Sequence, residues 1–281
     1  MLIFFNFAEV FYFTYTLHSQ MFIDQQNISS SKKYSAIISL VPSQTELLYD
    51  LGLEAEVIGI TKFCVHPEKW FQNKTRIGGT KNLNINEIKN LHPDLIIANK
   101  EENVKAQVEE LAVHYDVLVT DVNNLDDALS MIKAIGKLTG KTAKALSISE
   151  EIQLKFQKLI DPFSHKRKIK SAYLIWKEPY MAAGGNTFIN EMMRYCGLIN
   201  IFTNVERYPQ INNENLQACE LILLSSEPYP FKEKHAHELQ QEIPAAKIIL
   251  VDGEMFSWYG NRLLLAADYF KELRKKIELL H

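Results

Sequence analysis

The sequence predicts an α/β fold of two similar lobes with parallel sheets, bridged by one long α-helix. Three observations carry that expectation. Short apolar runs alternate with amphipathic segments through the first half of the chain, the pattern of a parallel sheet covered by helices. The same alternation resumes in the second half. Between the halves, residues 141–160 hold neither proline nor glycine, and Ala145, Ile148, Ile152, Phe156 and Leu159 recur at three- and four-residue spacing. That spacing describes one amphipathic helix of about 20 residues, roughly 30 Å long at ~1.5 Å per residue. A helix of that length, placed mid-chain, suits a rigid strut.

The elements follow in order. The apolar run at residues 36–41 reads as a buried strand. Pro42 stops it, and Ser43 with Glu46 makes an S-x-x-E capping box opening a helix through Leu51. Gly52 then stands where a left-handed cap is wanted. Further strands are expected at 57–60, 95–98 and 117–120, with helices at 104–114 and 125–138. Gly140 marks a boundary. After the long helix, residues 161–170 are basic, contain Pro162 and read as a linker. The second half gives strands at 172–176, 221–224 and 248–251. Its helices are expected at 187–196, closed by Gly197, near 233–241, and at 263–280. Two correspondences support a duplicated architecture: Leu51-Gly52-Leu53 matches Cys196-Gly197-Leu198, and Asp94-Leu95-Ile96 matches Glu220-Leu221-Ile222.

At 281 residues the chain is long enough for one large or two small domains. Its 47% hydrophobic and 23% charged residues are ordinary for a globular protein. A net charge of −3 gives no electrostatic reason to expect nucleic acid or an anionic membrane. The three cysteines, Cys64, Cys196 and Cys219, are odd in number and form no C-x-x-C pair, which argues against a disulfide framework or a structural zinc site. Residues 1–17 are apolar and aromatic. Glu9 interrupts them, no Lys or Arg precedes Lys32, and no small-residue cleavage site follows. A secretory signal needs a basic start and a cleavable end. The run is either a targeting segment or an upstream extension, with Met21 an alternative start; residues 27–33 read as a disordered lead-in. The boundaries are therefore 1–34 for the extension, 35–140 for the first lobe, 141–162 for the bridging helix and 168–281 for the second lobe.

The stretch 60–67 (Ile-Thr-Lys-Phe-Cys-Val-His-Pro) and the stretch 76–83 (Arg-Ile-Gly-Gly-Thr-Lys-Asn-Leu) have the composition of ligand-facing loops. Aromatic, thiol, imidazole and ammonium groups stand beside glycines that let backbone approach a ligand closely. Cys64 with His66 suits a soft or borderline metal ion, or His66 is a polar wall residue. Trp176 ends a strand and faces either a ligand or the core. Phe256, Trp258 and Tyr259 crowd a loop where a solvated turn is expected. Gly184-Gly185 lacks the flanking residues of a phosphate loop, and no G-x-S-x-G or H-E-x-x-H occurs.

Taken together, Leu40-Val41-Pro42-Ser43-Gln44-Thr45-Glu46, Pro93-Asp94-Leu95-Ile96-Ile97-Ala98, the long central helix and Ala183-Gly184-Gly185-Asn186-Thr187-Phe188-Ile189 resemble the helical-backbone metal receptor family. These are substrate-binding proteins of ABC importers for vitamin B12, haem and iron-siderophores. The resemblance covers about residues 35 to 280 and is greatest to the cobalamin-binding members. It implies two Rossmann-like lobes, a ligand held in the cleft between them, and little closure on binding. It also implies no catalysis, no intrinsic cofactor, a corrinoid or iron chelate as cargo, an ABC permease as partner, a monomer, and a periplasmic or extracytoplasmic location. The weak signal features leave a cytoplasmic cofactor-handling protein of the same fold as the alternative, and an enzyme acting on the chelate, through Cys64 and His66, as a third reading.

By position, the resemblance implies ligand contacts from Phe63, Thr80 and Lys81 on one lobe, with Cys64 and His66 candidates by their chemistry in the same loop as Phe63. Thr80-Lys81 stands where cobalamin-binding members carry a tryptophan, a departure that leaves the chelate open. On the other lobe it implies Trp176, Tyr180, Met181, Glu254, Phe256, Trp258, Tyr259 and Arg262. Glu87 and Glu227 are the candidates for docking to arginines of the permease.

Overall fold

The structure, a computed structural model, describes residues 22–23, 28, 32–164 and 167–280. The apolar run at 1–17, Met21 and most of the polar lead-in lie outside the described residues. The chain forms two compact units. The first takes the described residues up to Val122, with Asp127–Ser149 and Tyr259–Asn261; the second takes Asn123–Asp126, Glu150–Trp258 and the residues from Arg262 onward.

The first unit is built on a six-stranded sheet. Its strands, with the two of a small hairpin, are β1 (Phe22–Ile23), β2 (Ile37–Ser39), β3 (Val57–Ile60), β4 (Thr75–Arg76), β5 (Gly78–Gly79), β6 (Asn82–Leu83), β7 (Leu95–Asn99) and β8 (Asp116–Thr120). The sheet order is β1-β8-β7-β2-β3-β4, every pairing parallel, and β5 pairs antiparallel with β6 apart from it. The helices are α1 (Pro42–Asp50), α2 (Glu68–Asn73), α3 (Ile85–Asn90), α4 (Lys105–Ala112) and α5 (Leu125–Leu138). All five residues of β7 are buried, as expected of a strand covered on both faces. From β2 the chain first builds outward through β3 and then crosses to β7 on the other side. The carboxyl end of β2 is therefore a topological switch point, where open α/β sheets bind their ligands.

Three expectations need correction here. Ser43 does not cap α1: the cap position is Val41, with Pro42 at the first helical position. Proline's fixed φ suits that position, and its missing N–H would have no helical partner there anyway. Ser43 is drawn into the helix and buried. Second, β1 runs parallel to β8, pairing Phe22 with Val117 and Ile23 with Leu118, so part of the stretch read as an extension belongs to the sheet. Third, the linker at 161–170 is shorter than expected. Helix α6 (Thr142–Ser164) runs past Pro162, and the next strand opens at Ile169. A proline forfeits one backbone bond, a loss that one position near a helix end can absorb.

The 23 residues of α6 are uninterrupted, and the division between the units falls within it, after Ser149. Ala145, Ile152, Phe156 and Leu159 are buried along it, as their spacing predicts. At Gly136 of α5 the two helices approach closely: a Cβ there would sit 2.2 Å from that of Ala145.

The second unit has β9 (Ile169–Trp176), β10 (Met181–Ala182), β11 (Leu198–Asn200), β12 (Leu221–Ser225) and β13 (Lys247–Val251). Its sheet runs β10-β9-β12-β13, with β11 beside the start of β9; only β10 is antiparallel. Its helices are α7 (Phe188–Tyr195), α8 (Asn213–Leu216), α9 (Glu233–Glu242), α10 (Gly253–Ser257) and α11 (Leu263–Glu278). Thr187 caps α7 by accepting from Asn190 N at 3.2 Å. Leu174, Ile222, Leu224, Phe231, Leu239 and Ile243 belong to one buried cluster between sheet and helices.

Candidate functional site

In the first unit the loop after β3 alternates in exposure. Thr61 and Cys64 point inward, whereas Lys62, Phe63 and Val65 point outward. The turn is fixed by Cys64 N donating to Thr61 O (3.2 Å) and Phe63 N donating to Thr61 Oγ1 (3.3 Å). Phe63 is 50% exposed, the most exposed of the candidate aromatics. Its ring lies against the hairpin: a Cβ at Gly79 would approach Phe63 Cε2 to 3.0 Å. The Lys62 ammonium sits 5.1 Å from the ring centroid. Gly78 has φ +98, and a Cβ there would meet Asn82 O at 2.5 Å, so this tight hairpin needs glycine.

Lys81 is exposed at the hairpin turn and donates from Nζ to Glu101 O at 2.6 Å. Thr80 is buried, and its carbonyl accepts from Asn103 Nδ2 at 3.1 Å. His66 is half-buried just before Pro67, which caps α2. Cys64 is not a wall residue. It is fully buried, with Thr45 Oγ1 at 3.1 Å and Thr61 Oγ1 at 3.2 Å. Burial pushes its thiol up, so it is held as the neutral group. Among the described residues no group of three or more His, Cys, Asp or Glu is placed to hold a metal ion.

In the second unit, an open concavity of about 520 Å³ lies at the carboxyl ends of β12 and β13, lined by Ser226, Glu227, Leu250, Val251, Asp252 and Glu254. Trp176 closes β9, part-exposed, with its ring edge-on to Tyr229 at 5.6 Å. Tyr180 and Met181 are also part-exposed, and Tyr180 packs against the buried cluster. Burial pushes the Tyr180 phenol up.

The last loop behaves differently from its expected role. Phe256 is fully buried, its ring 5.0 Å from Tyr173 and 4.8 Å from Phe270. Trp258 is 7% exposed and donates from Nε1 to Glu227 Oε1 at 3.0 Å. Tyr259 is buried too, and it belongs to the first unit, where Ser43 Oγ faces its hydroxyl. These three aromatics are therefore scaffold, not ligand wall. The cause is α10. Gly253 fits against β12 only because it lacks a Cβ, which would fall 2.5 Å from Ser225 Oγ and 2.6 Å from Glu227 Cγ. That seat turns Phe256 into the core.

Arg262, also buried, pairs with Glu254 (2.7 Å) and stacks its guanidinium 4.8 Å from the Trp258 ring centroid. Glu254 stays part-exposed on the concavity. Glu227 was expected as a surface docking residue. Instead its Oε1 accepts from Ser257 Oγ at 2.6 Å as well as from Trp258. Burial, with the Glu254 carboxylate nearby, raises its pKa. Glu87 is part-exposed in the first turn of α3, whose amide end is capped by Asn84.

Sequence reasoning did not single out Tyr229, which packs on Trp176, or the amides that hold the first unit's loops. Tyr229 had a signal: Glu227-Pro228-Tyr229-Pro230 leaves a strand just as Phe63 does. The amides had none, because their partners are backbone groups distant in sequence.

A family model described as periplasmic binding protein matches residues 37–247. The vitamin B12-binding protein of Yersinia pestis (strain Pestoides F) is 23% identical over 236 residues, 83% of each chain. Among solved structures, the periplasmic vitamin B12 binding protein BtuF of Vibrio cholerae superposes with a TM-score of 0.74 at 20% identity, covering 87% of this chain and 98% of that one. A periplasmic heme binding protein from Pseudomonas aeruginosa gives 0.75 at 17% identity, covering 85% and 92%. A possible iron-binding protein from Staphylococcus epidermidis gives 0.73 at 24%, covering 88% and 99%.

Proposed function

This chain belongs to the periplasmic binding protein family, and from that premise we propose that it is the substrate-binding component of an ABC importer, carrying a metal chelate to its permease. The family is one of binding proteins, and no step in this reading is catalytic. The observation that carries it is Phe63: a half-exposed aromatic face beside the switch point, backed by Gly79 of the hairpin whose turn exposes Lys81. A flat ligand face stacked on that ring would take it out of water. Trp176, Tyr180 and Tyr229 give the second unit a comparable part-exposed set.

The chelate proposed first is a corrinoid, with haem and iron-siderophores after it. The named vitamin B12-binding relatives support that order, and the chemistry of the loops agrees with it. Flat apolar faces suit aromatic contacts, amide acceptors at a rim suit Lys81, and amide donors suit the Asp252 and Glu254 carboxylates. Glu87 is the favoured docking residue for the permease; Glu227, engaged by Ser257 and Trp258, is the weaker candidate. The reading places the protein outside the cytoplasmic membrane, as a monomer. Among the described residues no helix is long and apolar enough to cross a membrane.

Titrating tryptophan fluorescence with cobalamin, haem and ferric siderophores tests the reading, with Trp176 as reporter. Saturable quenching at micromolar ligand or below by one of them is expected. Absence of quenching by all three would remove this ligand class.

A further inference from the structure

The hairpin that carries Lys81 and backs Phe63 has two residues in each strand. A two-stranded hairpin is marginal in water even when longer, so its pose is imposed from outside. On one side Lys62 N donates to Gly78 O at 2.8 Å. On the other, two side chains four residues apart, at the entry and in the first turn of α4, reach it. Asn103 Nδ2 donates to Thr80 O at 3.1 Å, and Leu83 N donates to Gln107 Oε1 at 3.2 Å. One takes hold in the hairpin turn and the other at the end of its second strand.

Asn103 does more than touch the hairpin. It is 6% exposed, donates also to Leu40 O at 3.3 Å, and accepts from Asn99 N at 2.9 Å. One amide thus ties together the exit of β2, the exit of β7 and the hairpin turn. Asn99 extends the net, donating from Nδ2 to Thr120 O at 3.0 Å and accepting from Glu101 N at 2.8 Å. Glu101 is the residue whose carbonyl receives the Lys81 ammonium. The residue that receives the ammonium is therefore itself tied to this amide net.

We propose that Asn103 and Gln107 are positioning residues: they hold the hairpin, and through it Phe63 and Lys81, in the pose that captures ligand. The proposal rests on the functional reading above. It says that affinity is set partly by residues the ligand never touches, because a loop already ordered loses less conformational freedom on binding.

The test uses the full chain and two readouts: amide hydrogen exchange over residues 78–83 without ligand, and affinity for cyanocobalamin. Asn103→Asp keeps the acceptor for Asn99 N but turns a carboxylate oxygen toward two carbonyls. Gln107→Leu removes the acceptor for Leu83 N, whereas Gln107→Glu keeps one. In the first two variants, exchange over 78–83 should quicken about tenfold and cobalamin should bind about tenfold more weakly. Exchange in β8 should stay unchanged, and Gln107→Glu should stay within about twofold of the parent on both readouts. Should Asn103→Asp fail to fold, the pair at Gln107 decides alone. Unchanged hairpin exchange in Gln107→Leu, or equal quickening across β8, would overturn the clamp. Failure of the parent protein to bind cobalamin would overturn the corrinoid reading and the link to affinity, while the exchange arm still decides the clamp.

Discussion

The loops at the carboxyl ends of the two sheets solve the same problem with different chemistry. In the first unit they are tied by neutral groups: Gln44 and Asn99 both donate to Thr120 Oγ1, and Asn103 donates to Leu40 O and Thr80 O. In the second they are tied by charge and aromatic packing: Glu227 accepts from Ser257 and Trp258, and Arg262 bridges Glu254 and the Trp258 ring. The neutral net is compact and leaves its aromatic, Phe63, outside. The charged net uses its aromatics as structure and leaves carboxylates around the concavity. Aromatic density in a loop is thus no guide to ligand contact, because in one unit the aromatics form the framework itself.

The contrast breaks first at Phe256. Phe256→Ala should cost ~3–5 kcal/mol of stability, as for other fully buried large side chains. Urea unfolding would measure it, and a midpoint unmoved from the parent's would return Phe256 to the ligand. Phe63→Ala should do the reverse, weakening chelate binding by ~2 kcal/mol, about thirtyfold, while unfolding of the free protein shifts by less than ~0.5 kcal/mol. Calorimetry with and without cobalamin separates the two quantities. A stability loss equal to the affinity loss would make Phe63 structural.

A smaller effect is expected at Trp258→Phe, which keeps an aromatic but removes the donor to Glu227. One hydrogen bond to a carboxylate is worth ~1.5–3 kcal/mol, and the loss should be less where Ser257 still donates. Ligand affinity should hold, which a titration would check.

The smallest effect is one of pH. Burial raises the Glu227 pKa above its unfolded value, so its contribution to stability is full below that unfolded value. It is lost as pH rises through the raised pKa. Glu227→Gln keeps an acceptor for Ser257 and Trp258 but carries no charge. Its stability relative to the parent should therefore increase from acid to neutral pH. Thermal unfolding at several pH values would show it, and a difference that falls with pH would contradict the assignment.

Most of the fold was legible because strand and helix announce themselves by period. Helix α5 matches its expected span, and α6 was visible from five apolar residues. The two-residue strands, the short helices α2, α3, α8 and α10, and β1 were not, since each is shorter than the windows over which a period shows. At the site, Phe63, Lys81, Trp176 and Tyr180 were proposed from their places in loops after strands and stand at least part-exposed. Cys64, Phe256, Trp258 and Tyr259 were drawn in by the same argument, and burial removes them.

The sequence by itself determined that this is a two-lobed α/β protein with a continuous central helix, and it identified the family. Those properties rest on backbone geometry, which repeats every two or 3.6 residues and so writes itself along the chain. Which loop residues face solvent was decided only by the tertiary structure. No backbone period operates in a loop, and the direction of each side chain depends on partners far away in sequence. Gly253 seats α10 against Ser225 and turns Phe256 inward, and Tyr259 belongs to the first unit although Trp258 and Arg262 belong to the second. Asn103 meets Leu40 across a sequence separation of 63 residues.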